Sequence, residues 1–120
     1  MFALTTSHRF QMYSEPTDMR KGFDGLCAIV ESKLNQEVTT SGVFIFINKR
    51  RDKIKLLHWG GSGFVLYYKR LEKGTFEVLK YDAKDSTIKL TYTQLVMLID
   101  GITILNTKQK PRFSSTTIGE

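Results

Sequence analysis

Cysteine is nearly absent: Cys27 stands alone in 120 residues. A single thiol excludes an internal disulfide, and with it the small secreted scaffold held by bridges, so a reducing cytoplasmic setting is expected. Long apolar runs are missing as well. Val43–Ile47, Phe64–Tyr68 and Leu95–Ile99 reach five residues each, far short of the ~20 that a membrane helix needs. Met1–Thr6 carries neither the basic start nor the apolar stretch of a secretory signal. With two histidines and one cysteine there is no His-x-x-x-His or Cys-x-x-Cys spacing for a metal, and neither histidine adjoins a serine in a recognisable motif. Asp18, Asp24, Asp82, Asp85 and Asp100 have nearer local readings, at helix ends and around a turn, than as a magnesium site. Gly60-Gly61-Ser62-Gly63 lacks the Gly-Lys-Ser/Thr ending of a phosphate-binding loop. No catalytic residue, metal or cofactor is therefore expected, and an enzyme is not the expected class.

What is present suits one α+β domain over residues 1–105, followed by a polar, disordered tail over 106–120. His8–Tyr13 reads as a strand with Phe10 and Met12 on one face. Thr17 or Asp18 can cap a helix over 19–34, whose stripe is Met19, Phe23, Leu26, Cys27, Val30 and Leu34. Gly22 and Gly25 inside that helix point to close packing or mobility. Val43–Ile47 has the β-branched and aromatic content of a strand buried on both faces. Lys53–Trp59 and Phe64–Leu71 then form a hairpin about the glycine-rich turn, and the three strands make a meander. Thr75–Tyr81 can add a fourth strand, Thr87–Leu90 another, and Ile102–Leu105 a short terminal one. Thr91 with Gln94 is a capping box ahead of a helix over 92–100, stopped at Gly101. The expected architecture is a mostly antiparallel sheet with the first helix on one face and the second closing an end; a partly closed barrel is the alternative.

Charge is distributed unevenly. Eighteen Lys and Arg face twelve Asp and Glu, for +6. Between Lys49 and Lys73 stand eight basic residues and two acidic ones, so this segment carries the entire excess. A confined positive field attracts polyanions. Lys49, Arg50, Arg51, Lys53, Lys55, Lys69 and Arg70 are thus the candidate nucleic-acid contacts, and Trp59, Tyr67 and Tyr68 the candidate partner-docking residues. The competing reading is that the aromatics fill a core and the lysines snorkel at its rim. If Trp59 pairs with Phe64, both hairpin faces mix apolar and basic side chains, and the sequence leaves open which is core.

Three ordered motifs carry a family resemblance. They are Thr17-Asp18-Met19-Arg20-Lys21-Gly22-Phe23-Asp24-Gly25-Leu26, the run Phe44 to Trp59 around Asn48-Lys49-Arg50-Arg51-Asp52, and Gly63 to Phe76 around Tyr68-Lys69-Arg70-Leu71-Glu72. Together they resemble the TnpB accessory protein of the sixty-six family of bacterial insertion sequences. The resemblance implies a small protein made alongside a separate transposase, assisting DNA transposition and bringing no catalytic residues. Its implied partners are DNA at the element ends and the element-encoded transposase; nothing in the sequence specifies an oligomeric state. The chain departs from the family pattern at Glu37–Gly42, which lacks an Asp-Pro. It departs again at the hairpin tip, which lacks acids, and at Val78-Leu79, where a Trp-Pro is usual.

Overall fold

In a computed structural model, which describes residues 8–77 and 85–101, seven elements follow one another. They are β1 (Arg9–Tyr13), α1 (Phe23–Ser32), β2 (Gly42–Ile47), β3 (Lys53–Trp59), β4 (Phe64–Arg70), β5 (Thr87–Leu90) and α2 (Tyr92–Ile99). The strands form one open, mixed sheet in the order β4-β3-β2-β1-β5. β2 is central and buried at all six positions, as its uninterrupted apolar sequence requires. The fold is α+β and the sheet is not closed into a barrel.

The hairpin forms in the register that the four-residue turn dictates, Trp59 opposite Phe64 and Lys53 opposite Arg70. Gly61 at φ 92° supplies the left-handed turn conformation, and the Gly60 N–H donates to the Gly63 carbonyl at 2.7 Å. On its other edge β2 pairs with β1 in parallel, and β5 runs antiparallel to β1. The parallel pair needs a crossover, which α1 provides.

Both faces of the sheet are covered. Leu26 and Val30 of α1 pack with Phe44, Phe46 and Leu57 on one side. Leu95 and Leu98 of α2 pack with Met12, Ile45, Ile54, Leu56 and Phe76 on the other. α2 thus lies over the face opposite α1 and does not merely close an end. Its Thr91–Gln94 capping box is complete, and Gly101 at φ 79° ends it.

Two further expectations need correction. The first helix begins at Phe23, not Met19, and Gly22 is its N-cap with no side-chain bond. Asp18 instead turns its carboxylate back on the Arg20 N–H at 2.9 Å, an Asx turn that competes with helix. The carbonyls of Met19 and Lys21, which a helix would use internally, accept from Lys55. Phe23 consequently lies outside the buried stripe, exposed. Gly25 does serve close packing: a Cβ there would meet the Lys21 Cβ at 3.0 Å. The second correction concerns Thr75–Tyr81. Residues 75–77 join no strand, and Phe76 plugs the α2-side core with its N–H on the Arg51 carbonyl at 2.6 Å. Residues 78–81, the expected 102–105 strand and the tail lie outside the described residues.

Candidate functional site

The basic turn between β2 and β3 is constructed by its two polar ends. Asn48 Oδ1 accepts from the N–H groups of Asp52 and Lys53, both at 3.0 Å, while Asn48 Nδ2 donates to Asp52 Oδ1 at 2.7 Å. The Arg51 N–H closes the turn on the Asn48 carbonyl at 3.0 Å. This network accounts for the residue types: Asn48 and Asp52 staple the loop, and Lys49, Arg50 and Arg51 between them are exposed. The Asn48 hydrogen bond, the first cause, holds the Asp52 carboxyl below its ordinary value. Arg51 sits at φ 60°, a left-handed conformation that costs an L-residue about 1–2 kcal/mol.

The end of the hairpin joins this loop. Lys53 stands directly across from Arg70, a like-charge pair that weakens a ladder unless counter-charges intervene. They do: Lys53 Nζ lies 3.7 Å from Asp52, and Arg70 Nε bonds Glu72 at 2.8 Å. The Leu71 N–H donates to the Asp52 carbonyl at 2.7 Å, which ties the chain after β4 to the basic turn. Lys49–Lys53 and Arg70 are therefore brought to one end of the sheet.

Lys55 and Lys69 go elsewhere. Lys55 is 5% exposed, and its Nζ donates to the carbonyls of Met19 at 2.8 Å and Lys21 at 2.7 Å. Burial lowers its pKa from the usual lysine value, partly opposed by Asp18. Lys69, on the opposite face, donates to the Ile99 carbonyl at 2.7 Å, where a cation suits the C-terminal end of α2. Each lysine anchors a covering segment to the sheet, and neither ammonium is presented as the exposed loop cations are.

The aromatic candidates divide likewise. Tyr67 faces the α2-side core. Trp59 and Tyr68 share the other face, but Trp59 pairs edge-on with Phe64 at the hairpin tip, 4.9 Å between centroids, while Tyr68 lies toward the basic end. The three do not make one patch.

Beside the loop runs a groove of about 620 Å³, lined by Pro16, Thr17, Asp18, Met19, Arg20, Asn48, Lys49, Arg50, Lys53 and Tyr68. Arg20 and Asp18 form an ion pair at 2.6 Å, and Arg20's hydrogen bonds hold the Asp18 carboxyl down at about 2. Neither Thr17 nor Arg20 is expected at a site from the sequence, because Thr17 has a nearer role as a helix cap and Arg20 lies in the first turn of the expected helix. A larger recess of about 690 Å³ at the far end of the sheet is lined in part by Arg9, Lys89 and the reciprocally bonded Gln11 and Gln36. It has less charge, and the groove takes precedence because the loop cations converge there. Among the described residues no three His, Cys, Asp or Glu side chains gather as metal ligands would, and no helix is long and apolar enough to cross a membrane.

Comparison with known proteins adds a family. Residues 8–109 match the family described as IS66 Orf2 like protein. Uncharacterized protein y4jC of Sinorhizobium fredii is 32% identical over 103 residues, covering 86% of each chain. Uncharacterized protein y4hO of the same organism is 31% identical over 86 residues, covering 72% of this chain and 73% of its own. No solved structure matches.

Proposed function

The chain belongs to the IS66 Orf2-like family, whose members are associated with transposition of an insertion sequence, and from that premise we propose that it is a non-catalytic accessory factor that binds element DNA in the cytoplasm through its basic turn. It needs no cofactor for this. The observation that carries the reading is the Asn48–Asp52 loop, which presents three successive exposed cations on a stapled frame. Arg51 keeps a backbone conformation better suited to glycine. Strain retained in an exposed loop points to a task for its side chain.

With Lys55 and Lys69 anchored inside, the phosphate contacts fall to Lys49, Arg50, Arg51, Lys53 and Arg70. Five such contacts give a slope of about −4.5 for log K against log salt on duplex DNA, and losing three leaves about −1.8. Fluorescence anisotropy with labelled element-end duplex measures both. A variant with Lys49, Arg50 and Arg51 all replaced by Ala should bind more weakly and with the shallower slope; unchanged affinity would refute the assignment.

A second reading, docking of the element-encoded transposase, is supported by the half-buried Trp59–Phe64 pair at the hairpin tip. Co-purification with transposase from nuclease-treated lysate, lost in Trp59→Ala, is its test. No association at micromolar concentration would reject it.

A further inference from the structure

Tyr68 is 51% exposed at the groove, although the partner strand β3 is buried at its four middle positions. Lys55 lies behind it, Nζ 4.5 Å from the ring centroid. The ammonium closes one face of the ring and fixes its orientation, which leaves the outer face to the groove. A ring held in this way loses little freedom when a second flat group stacks on it.

The floor of the groove carries an independent mark. Thr17 is 4% exposed, and its Oγ1 is the one buried side-chain polar atom without a hydrogen-bond partner among the described residues. Buried hydroxyls are nearly always bonded, so this orphan behind the groove lining is a position that a ligand oxygen satisfies once the lining shifts to admit it. The surrounding charges state which atom. Lys49, Arg50, Lys53 and Arg20 share that lining with Asp18, whose charge is already taken by Arg20. An anionic oxygen fits. Stacking surface and cations line one volume of about 620 Å³, with the unsatisfied Thr17 hydroxyl behind its wall, and that volume is within the range of small-molecule sites.

We infer that this groove takes an unpaired nucleotide of single-stranded DNA, with the base stacked on Tyr68 and its phosphate seated among Lys49, Arg50 and Lys53 beside the Thr17 hydroxyl. The inference rests on the nucleic-acid reading above and adds strand choice to it. In a duplex the base faces are already stacked on one another, so Tyr68 finds no partner unless a base is extruded. Phosphates alone would favour the duplex, whose charge density is higher, so a preference for the single strand has to come from stacking on Tyr68.

The test compares a labelled oligothymidylate of about twelve nucleotides with a duplex of equal length, at one salt concentration, by anisotropy. The parent should bind the single strand more tightly. Tyr68→Ala should weaken strand binding by about 5- to 150-fold, the range of base–aromatic stacking, and leave duplex binding unchanged, while Tyr68→Phe retains strand binding. Tyr68→Leu, which keeps apolar volume on β4, repeats the measurement if the alanine variant melts early. Thr17→Val should weaken strand binding roughly tenfold, as expected for one charge-assisted hydrogen bond. If Tyr68→Ala and Tyr68→Leu lower strand and duplex binding equally, or neither, while the triple loop variant still loses duplex, the single-strand site is wrong and the nucleic-acid reading stands. If the parent binds neither probe, both fall.

Discussion

Replacing Lys55 by methionine keeps the apolar stem in its channel and removes the ammonium that holds the Met19 and Lys21 carbonyls. Hydrogen bonds to a charged group contribute about 1.5–3 kcal/mol each, and the cation over the Tyr68 ring adds about 0.5–1 kcal/mol. Against this stands the burial penalty that lowers the lysine pKa. That penalty compares ammonium with amine, and the amine can still donate to both carbonyls; methionine cannot. The net loss should be about 2–3 kcal/mol, since some of the freed carbonyl capacity is recovered by water. With an unfolding entropy of about 2.1 cal/mol/K per residue, that corresponds to a fall in Tm of roughly 10 °C. Calorimetry at neutral pH measures it, and hydrogen exchange should show residues 19–22 opening faster. The alkaline limb supplies a second check. Because the folded pKa is depressed, the unfolded chain binds this proton more strongly. Stability therefore rises with pH between the folded value and the ordinary 10.5, and Lys55→Met removes that contribution. A Tm equal to or above that of the parent would show that desolvation outweighs the two bonds and that the 16–22 segment is held by other means.

Arg51→Gly should raise stability by about 1 kcal/mol by relieving the left-handed strain, while weakening DNA binding and flattening its salt slope by about 0.9. Thermal melts and anisotropy on the same sample separate the two effects, and a destabilised variant would contradict the strain argument. Thr91→Ala should cost about 1 kcal/mol through loss of the capping box, measured by urea titration. The Asp18 carboxyl should titrate at about 2 by NMR and return toward 3.8 in Arg20→Ala. As a depressed carboxyl it favours the fold above its unfolded value, a contribution lost as pH falls through about 2; an unchanged midpoint in the variant would rule out the Arg20 bond.

Much of the architecture was legible because the signals are local. The apolar run of β2, the glycine turn and the Thr91–Gln94 box each act within a few residues, and each element formed where its signal lies, with the hairpin in the expected register. The first helix failed at its start because Asp18 can cap either a helix or an Asx turn, and the choice depended on Lys55, 36 residues away from Met19. The unassigned hairpin faces have a related cause. Both carry apolar and basic residues because both are covered, one under α1 and one under α2.

The candidate site divides along the same line. The sequence by itself located the charge excess, the turn that presents Lys49, Arg50 and Arg51, and the pairing of Lys53 with Arg70, since these depend on composition and strand register. Only the tertiary structure decided that Lys55 and Lys69 are anchors, that Tyr67 packs into the α2-side core while Tyr68 lines a groove, and that Thr17 meets the loop there. A lysine is exposed or buried according to which carbonyls are laid over it, and those carbonyls come from segments distant in the chain.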